Sequence, residues 1–319
     1  MKPIVIVTRR LVGEPSVPEG EVRVLSDAHL PRGELLAGVR GAHVVVTMFT
    51  NKIDEEFLTS AGDSLRGVCN YAVGYNNIDL EACKRRGIIV TNTPDAVTEG
   101  TADIAWTLIL GAARQIVKGD AYARSGAWAR GGPLGTADFL GRDLTGRTLV
   151  IVGAGRIGYA TAVRSIGWGM RVLYVARSKH WEFELAPLGA RRVSLDEGLR
   201  EADVVSVHTP LTPETRHLIG ERELGLMKQS AIIVNTARGP IIDEAALARA
   251  LKSKRVFGAG LDVFENEPEV HPDLIGLDNI VMTPHVGSAS VRSRSQMTEM
   301  VAANASAILR GAEPPNRVV

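Results

Sequence analysis

Short β-branched runs alternate with longer amphipathic segments along this chain, and they do so in two successive series. In the first series, strand candidates at 4–8, 22–25, 44–47, 66–70 and 88–91 are separated by helix-like stretches near 32–39, 54–61 and 79–86. In the second, strand candidates at 148–152, 171–175, 204–207, 231–235, 258–262 and 280–282 alternate with helical stretches at 157–166, 195–200, 221–227 and 243–252. Apolar strands separated by helices read as βαβ units around a parallel sheet buried on both faces. Two such series predict an α/β protein of two lobes, each a mainly parallel sheet with flanking helices. A chain of 319 residues fits two domains.

A helical stretch at 101–125, apolar at Ile104, Ala105, Leu108, Ile109, Ala112 and Ala113, joins the two series. A Gly- and Pro-rich loop at 126–133 follows it. A last helical stretch at 290–309 ends at Gly311 and the Pro314-Pro315 break. That helix can carry the chain back to the first lobe. The expected division is therefore residues 1–99 plus 287–319 for one domain and 100–286 for the other, with a cleft between them.

Composition excludes several classes. Lys and Arg total 37 and Asp and Glu 36, a net charge of +1 that gives no broad basic surface for nucleic acid. Only Cys69 and Cys83 are present, so neither a disulfide framework nor a paired-cysteine metal site is available. No histidine pair has metal-ligand spacing, and no metal site is expected. No apolar run reaches membrane-spanning length, and the one at the N-terminus is too short for a signal sequence. A soluble, cytoplasmic protein without a membrane partner is expected.

The second lobe opens on Val150-Ile151-Val152-Gly153-Ala154-Gly155-Arg156-Ile157-Gly158, a strand, a GxGxxG turn and the start of a helix. Gly153 permits the tight turn, Gly155 lets backbone approach a pyrophosphate, and Gly158 allows close helix–strand packing. Arg156 and Ile157 stand in the helix's first turn, whose free N–H groups suit phosphate. The motif in this context predicts a Rossmann-type dinucleotide site. At the end of the next strand, where an NAD site places an acid on the ribose 2′-hydroxyl, the chain reads Ala176-Arg177-Ser178-Lys179. Arg177, Ser178 and Lys179 suit a 2′-phosphate through charge-assisted hydrogen bonds. NADP(H) is favoured as cofactor, with NAD(H) possible.

Three later strand ends carry polar residues: Asn235-Thr236-Ala237-Arg238-Gly239, Asp262 to Glu267-Pro268, and Thr283-Pro284-His285-Val286-Gly287. Open α/β sheets bind ligands at the carboxyl ends of their strands. Arg, Glu and His are what reduction of a ketone needs. A histidine ordinarily ionises at about pH 6.5 and can supply a proton to the developing oxyanion. A carboxylate on the other ring nitrogen orients it, and an Arg fork holds a substrate carboxylate.

These segments, with Val44-Val45-Val46-Thr47-Met48, Tyr71-Ala72-Val73-Gly74-Tyr75-Asn76-Asn77-Ile78-Asp79, His208-Thr209-Pro210-Leu211-Thr212 and Gly260-Leu261-Asp262-Val263-Phe264, resemble the D-isomer-specific 2-hydroxyacid dehydrogenases over nearly the whole chain. The chain is most similar to their glyoxylate/hydroxypyruvate reductase branch. The resemblance implies catalytic roles for Arg238, Glu267 and His285, with His285 as acid/base and Glu267 as its partner. It implies substrate contacts from Met48, from the backbone of Val73 and Gly74, and from Arg238. It places Thr101 and Asp262 at the nicotinamide end, with Thr209, Pro210, Thr236 and Ala237 lining the cofactor alongside Arg238 and His285. It implies a smaller, flavodoxin-like substrate lobe and a homodimer. Ala129-Arg130-Gly131 follows Trp128 where some members of the branch carry a second aromatic.

The function expected is NADPH-dependent reduction of a small 2-oxo acid, glyoxylate or hydroxypyruvate, to glycolate or D-glycerate. Two other readings stand beside it. One is a dehydrogenase for another 2-hydroxy acid such as 2-ketogluconate, D-lactate or phosphoglycerate. The other is a non-catalytic dinucleotide-sensing regulator. His208, which also follows a strand, reads as cofactor-side lining, with a second proton donor as the alternative.

Overall fold

The computed structural model describes residues 2–319, and the chain divides into two units, Met1–Val97 with Ser288–Val319, and Thr98–Gly287. The breaks fall at 97/98 and 287/288, two residues before and one residue after the boundaries expected from the sequence.

In the first unit, β1 (Ile4–Val7), β2 (Glu21–Val24), β3 (Val44–Met48), β4 (Gly67–Tyr71) and β5 (Ile89–Thr91) form one sheet in the order β2-β1-β3-β4-β5. Every pairing is parallel. This 2-1-3-4-5 order is the flavodoxin-like winding. All of β3 and β4 is buried, as strands covered on both faces must be. One face packs on Leu35, Phe57, Leu58 and Ala82 from three short helices. The helix Val291–Arg310 covers β3, β4 and β5 on this unit, with Met297, Val301, Ala305 and Ile308 buried. Gly67 lets it come close, because a Cβ there would lie 2.6 Å from the Ile308 side chain.

The second unit holds seven strands: β6 (Thr148–Val152), β7 (Arg171–Val175), β8 (Arg191–Arg192), β9 (Val204–Val207), β10 (Ile232–Asn235), β11 (Gly258–Leu261) and β12 (Ile280–Met282). Their order is β12-β11-β10-β9-β6-β7-β8, all parallel. The order reverses between β6 and β9, which makes the crevice beyond their carboxyl ends the switch point where such sheets bind ligands. The helix Thr98–Ala113 lies on β10, β11 and β12.

Three local expectations change. The helical stretch at 101–125 is two helices, Thr98–Ala113 and Ile116–Arg124, because Gln115 adopts a left-handed conformation at φ 51°. The stretch is near-continuous in apolar period, and a single residue's backbone breaks it. The glycine-rich segment after it contains a short helix, Ala127–Gly131, between Gly126 and Gly132, both at positive φ. The two-residue β8 was too short and too charged to show as a strand.

Candidate active site

The GxGxxG turn has the form that a pyrophosphate requires. Gly153, at φ 103°, abuts the chain after β9, and a Cβ there would sit 2.6 Å from the Thr209 nitrogen. A Cβ on Gly158 would lie 2.3 Å from the Gly153 carbonyl oxygen. Around Gly155, by contrast, a Cβ would meet nothing within 4 Å. Two glycines thus close the turn and the third leaves space against it. Gly155 caps the helix Arg156–Arg164 without a side-chain partner, so the first-turn N–H groups of Arg156, Ile157 and Gly158 face the turn. Those residues fit a dinucleotide phosphate.

The loop after β7 is held from behind. Arg192 on β8 donates from Nε to the Ala176 carbonyl at 2.9 Å and from Nη2 to the Arg177 carbonyl at 2.6 Å. Arg177 and Ser178 stand exposed. Lys179 does not join them. Its ammonium is 3.1 Å from Glu184 and lies over the Trp181 ring at 4.7 Å, so its charge is already paired. A lysine four residues past a strand end gives no sign in sequence of an acid five positions further on. Arg192, missed in the sequence, had no motif to mark it.

Across the switch point, His208 follows β9. Its Nε2 lies 2.8 Å from Ser206 Oγ and its Nδ1 3.5 Å from Thr236 Oγ1. Burial pushes its pKa down to about 3, so the ring is neutral and is no proton donor. Thr209 and Pro210 continue this rim, and Thr236 and Ala237 form the next one after β10.

Arg238 sits on a loop that Asn235 clasps. Asn235 accepts from the Ala237 N–H at 3.0 Å and donates to the Arg238 carbonyl at 2.9 Å. The Arg238 guanidinium donates to the Ala237 carbonyl at 2.7 Å. Burial lowers its pKa, and the negative charge of Glu267 partly offsets that. Next to it Gly239 is obligatory, because a Cβ there would lie 1.9 Å from the Phe264 carbonyl carbon. The Arg238 loop and the loop after β11 therefore touch backbone to backbone.

That second loop carries Glu267. Its Oε1 accepts from the Phe264 N–H at 3.1 Å, and its Oε2 lies 2.7 Å from His285 Nδ1. Burial alone would raise the Glu267 pKa, but the hydrogen bond and charge of His285 outweigh it and hold the group below the ordinary carboxylate range, with the Phe264 N–H and Arg238 contributing. Asp262, 1% exposed, accepts from Thr283 Oγ1 at 2.6 Å and from the Val286 and Gly287 N–H groups, each at 2.8 Å. Burial raises its pKa against those three bonds. Asp262 thus fixes the turn on either side of His285. Buried Thr101 joins the same turn, its hydroxyl 3.4 Å from the Gly287 carbonyl.

In the first unit, Met48 ends β3, paired in register with Tyr71. Beyond Tyr71, the Val73 carbonyl accepts from Asn92 Nδ2 and the Gly74 carbonyl from Asn70 Nδ2, each at 2.8 Å. The Val73 and Gly74 N–H groups donate to nothing among the described residues. Two amides left free beside two anchored carbonyls suit a carboxylate. A cavity of about 720 Å³ opens in the second unit near Phe257 and Asn279, at the amino ends of β11 and β12, whereas Asp262 and Thr283 follow the carboxyl ends of those strands and do not line it. Among the described residues no group of acids, cysteines or histidines could hold a metal ion.

The model of the D-isomer specific 2-hydroxyacid dehydrogenase NAD-binding domain matches residues 106–287. The chain belongs to this family. It is an NAD(P)-dependent oxidoreductase of the D-2-hydroxyacid dehydrogenase type. The glyoxylate reductase of Pyrococcus horikoshii is 48% identical over all of this chain and 96% of its own length. A solved protein of Thermus thermophilus superposes with a TM-score of 0.91 at 45% identity, covering 99% of this chain and 100% of that one. The NADPH-dependent glyoxylate/hydroxypyruvate reductase of Sinorhizobium meliloti, solved with NADP and malonate, gives 0.85 at 31% identity, covering 100% and 97%.

Proposed function

We propose that this D-2-hydroxyacid dehydrogenase is an NADPH-preferring reductase of glyoxylate and hydroxypyruvate, forming glycolate and D-glycerate. The observation that carries the catalytic reading is the 2.7 Å His285–Glu267 pair beside the half-buried Arg238. The bound dinucleotide supplies the hydride. His285 gives the proton to the carbonyl oxygen as charge develops there. Glu267 orients the ring through Nδ1. Arg238 and the Val73 and Gly74 amides hold the substrate carboxylate, and Met48 borders the reacting carbon. Arg238 further stabilises the oxyanion. Gly153 to Gly158, Arg177 and Ser178 hold the dinucleotide, Thr209, Pro210, Thr236 and Ala237 line its path, and Asp262 and Thr101 shape its nicotinamide end. Residues 1–99 with 287–319 serve as the substrate domain and 100–286 as the cofactor domain.

Glyoxylate and NADPH are favoured by the names of the relatives and by the absence of a strand-end acid at Ala176. A homodimer belongs to the same reading, supported by the exposed Ile116, Val117, Trp128 and Leu140. So does a cytoplasmic setting, supported by two buried cysteines that form no disulfide. The test is turnover of a 2-oxo acid panel with NADPH and NADH at equal concentrations. Consumption of NADPH with glyoxylate and hydroxypyruvate is expected. Consumption of neither cofactor with any acid overturns the enzymatic reading.

A further inference from the structure

Arg9 and Arg294 stand at the carboxyl edge of the first unit's sheet. Arg9 follows β1 and lines a narrow crevice with Met48, Thr50, Asn51 and His29. Arg294 lies in the first turns of the helix Val291–Arg310, its guanidinium 5.7 Å from the ring centre of Tyr71. Tyr71 is a fixed platform. It is 3% exposed, and its hydroxyl donates to the Arg294 carbonyl at 2.6 Å and lies 3.2 Å from Thr298 Oγ1. Met48 and Tyr71 are register partners, so both arginines border one stretch of sheet edge, two residues before the free amides of Val73 and Gly74.

Neither guanidinium has a carboxylate partner among the described residues. The two act on each other instead: Arg9 adds repulsion to the burial that already lowers the Arg294 pKa. Two like charges held half out of water with no counter-ion form a costly arrangement unless an anion completes it. An Arg fork recognises carboxylate and phosphate alike.

We propose that Arg294, aided by Arg9, binds a second anionic group on the substrate, so that the enzyme also reduces 2-oxo acids bearing a further carboxylate or phosphate beyond the reacting carbonyl. This rests on the reading that Val73 and Gly74 hold the first carboxylate. Chain length of the acid is then sensed by the distance between the free amides and the arginine pair. Hydride still goes to C2 and the proton to its oxygen, so the chemistry is unchanged.

Oxaloacetate and 2-oxobutyrate have equal length and differ in the terminal carboxylate, which makes their kcat/KM ratio the readout. Wild type should favour oxaloacetate. Arg294→Met should lower that ratio roughly ten- to hundredfold, the worth of a charge-assisted hydrogen bond. Arg9→Met should lower it less, and Arg294→Lys should retain part of it. A wild-type ratio below one, or a ratio unmoved by Arg294→Met and Arg294→Lys alike, overturns the proposal. Calorimetric titration with succinate against butyrate, equal in length, at constant ionic strength tests the site without turnover. Succinate should bind more tightly, and Arg294→Met should erase the difference. If no 2-oxo acid is reduced, the functional reading fails while the succinate titration still decides this one; equal binding of the two acids sinks it.

Discussion

His285 Nδ1 lies 2.7 Å from Glu267 Oε2, a pairing of residues 18 positions apart on two different loops. Neither loop is free to choose its shape. His285 is held at φ 53°, a left-handed conformation that costs a non-glycine residue about 1–3 kcal/mol. Asp262 offsets that cost by taking the next two N–H groups of the turn. Glu267 in turn has one oxygen tied to the Phe264 N–H, which leaves the other for the imidazole. The ring's remaining nitrogen, Nε2, is the atom the mechanism needs.

Replacing Glu267→Gln preserves the shape and removes the charge. The imidazole then loses the carboxylate that orients it through Nδ1, so kcat of reduction should fall, measured where chemistry limits. His285→Ala should lower kcat by roughly 10²–10⁴-fold while NADPH binding persists. An unchanged kcat in Glu267→Gln would show that Glu267 does not position the proton donor. The same pair bears on stability. The folded-state pKa of Glu267 is depressed, so its contribution is present above the unfolded value of about 4.3 and lost as pH falls through the folded one. The stability difference between wild type and Glu267→Gln should shrink on acidification.

Gly239→Ala probes how the Arg238 loop is set against the Glu267 loop. The added Cβ would fall 1.9 Å from the Phe264 carbonyl carbon, a backbone atom with no side-chain freedom to yield. Overpacking of this kind costs about 1–3 kcal/mol. A lower Tm is expected, together with a kcat/KM loss larger than any change in cofactor affinity. Retention of wild-type kcat/KM would mean that the two loops move independently.

Much of this architecture is legible in the sequence because parallel strands buried on both faces read as unbroken β-branched runs. Both sheets announce themselves this way, and the glycine turn after β6 is marked by spacing. Hydrogen bonds between distant segments are not so marked. Nothing local to Asp262 tells that its carboxylate is spent on Val286 and Gly287, or that Lys179 is taken by Glu184. The break at Gln115 is a single backbone angle in a residue that commonly sits inside helices. Arg192 and Asn235 act by holding loop carbonyls, a role any long donor could fill, so residue type alone does not reveal them.

The segment after Ala113 exposes Ile116, Val117, Trp128, Leu134 and Leu140, each at least 46% accessible. Such exposed apolar side chains concentrated in one segment mark an association surface. A homodimer is expected in sedimentation at low micromolar concentration. Trp128→Glu should shift the protein toward the monomer of 34.2 kDa. A wild-type species already at that mass removes the basis for this assembly.

Cofactor preference turns on Ala176 and Arg177. The backbone of both residues is pinned by Arg192, so their side chains project from a fixed frame. Arg177 has no ion pair among the described residues, and Lys179 is neutralised by Glu184. The positive charge available to a 2′-phosphate is therefore chiefly that of Arg177, with Ser178 as a neutral donor. Ala176→Asp combined with Arg177→Ala removes that charge and adds an acceptor for a ribose 2′-hydroxyl. A charge-assisted bond is worth roughly 1.5–3 kcal/mol, so the NADPH-to-NADH ratio of kcat/KM should fall about ten- to hundredfold. Lys179→Ala should change the ratio much less than Arg177→Ala, because its charge is already spent. Equal effects from the two single substitutions would show that the Lys179–Glu184 pair opens for the phosphate, and a wild-type preference for NADH would mean that Arg177 is only a solvated side chain.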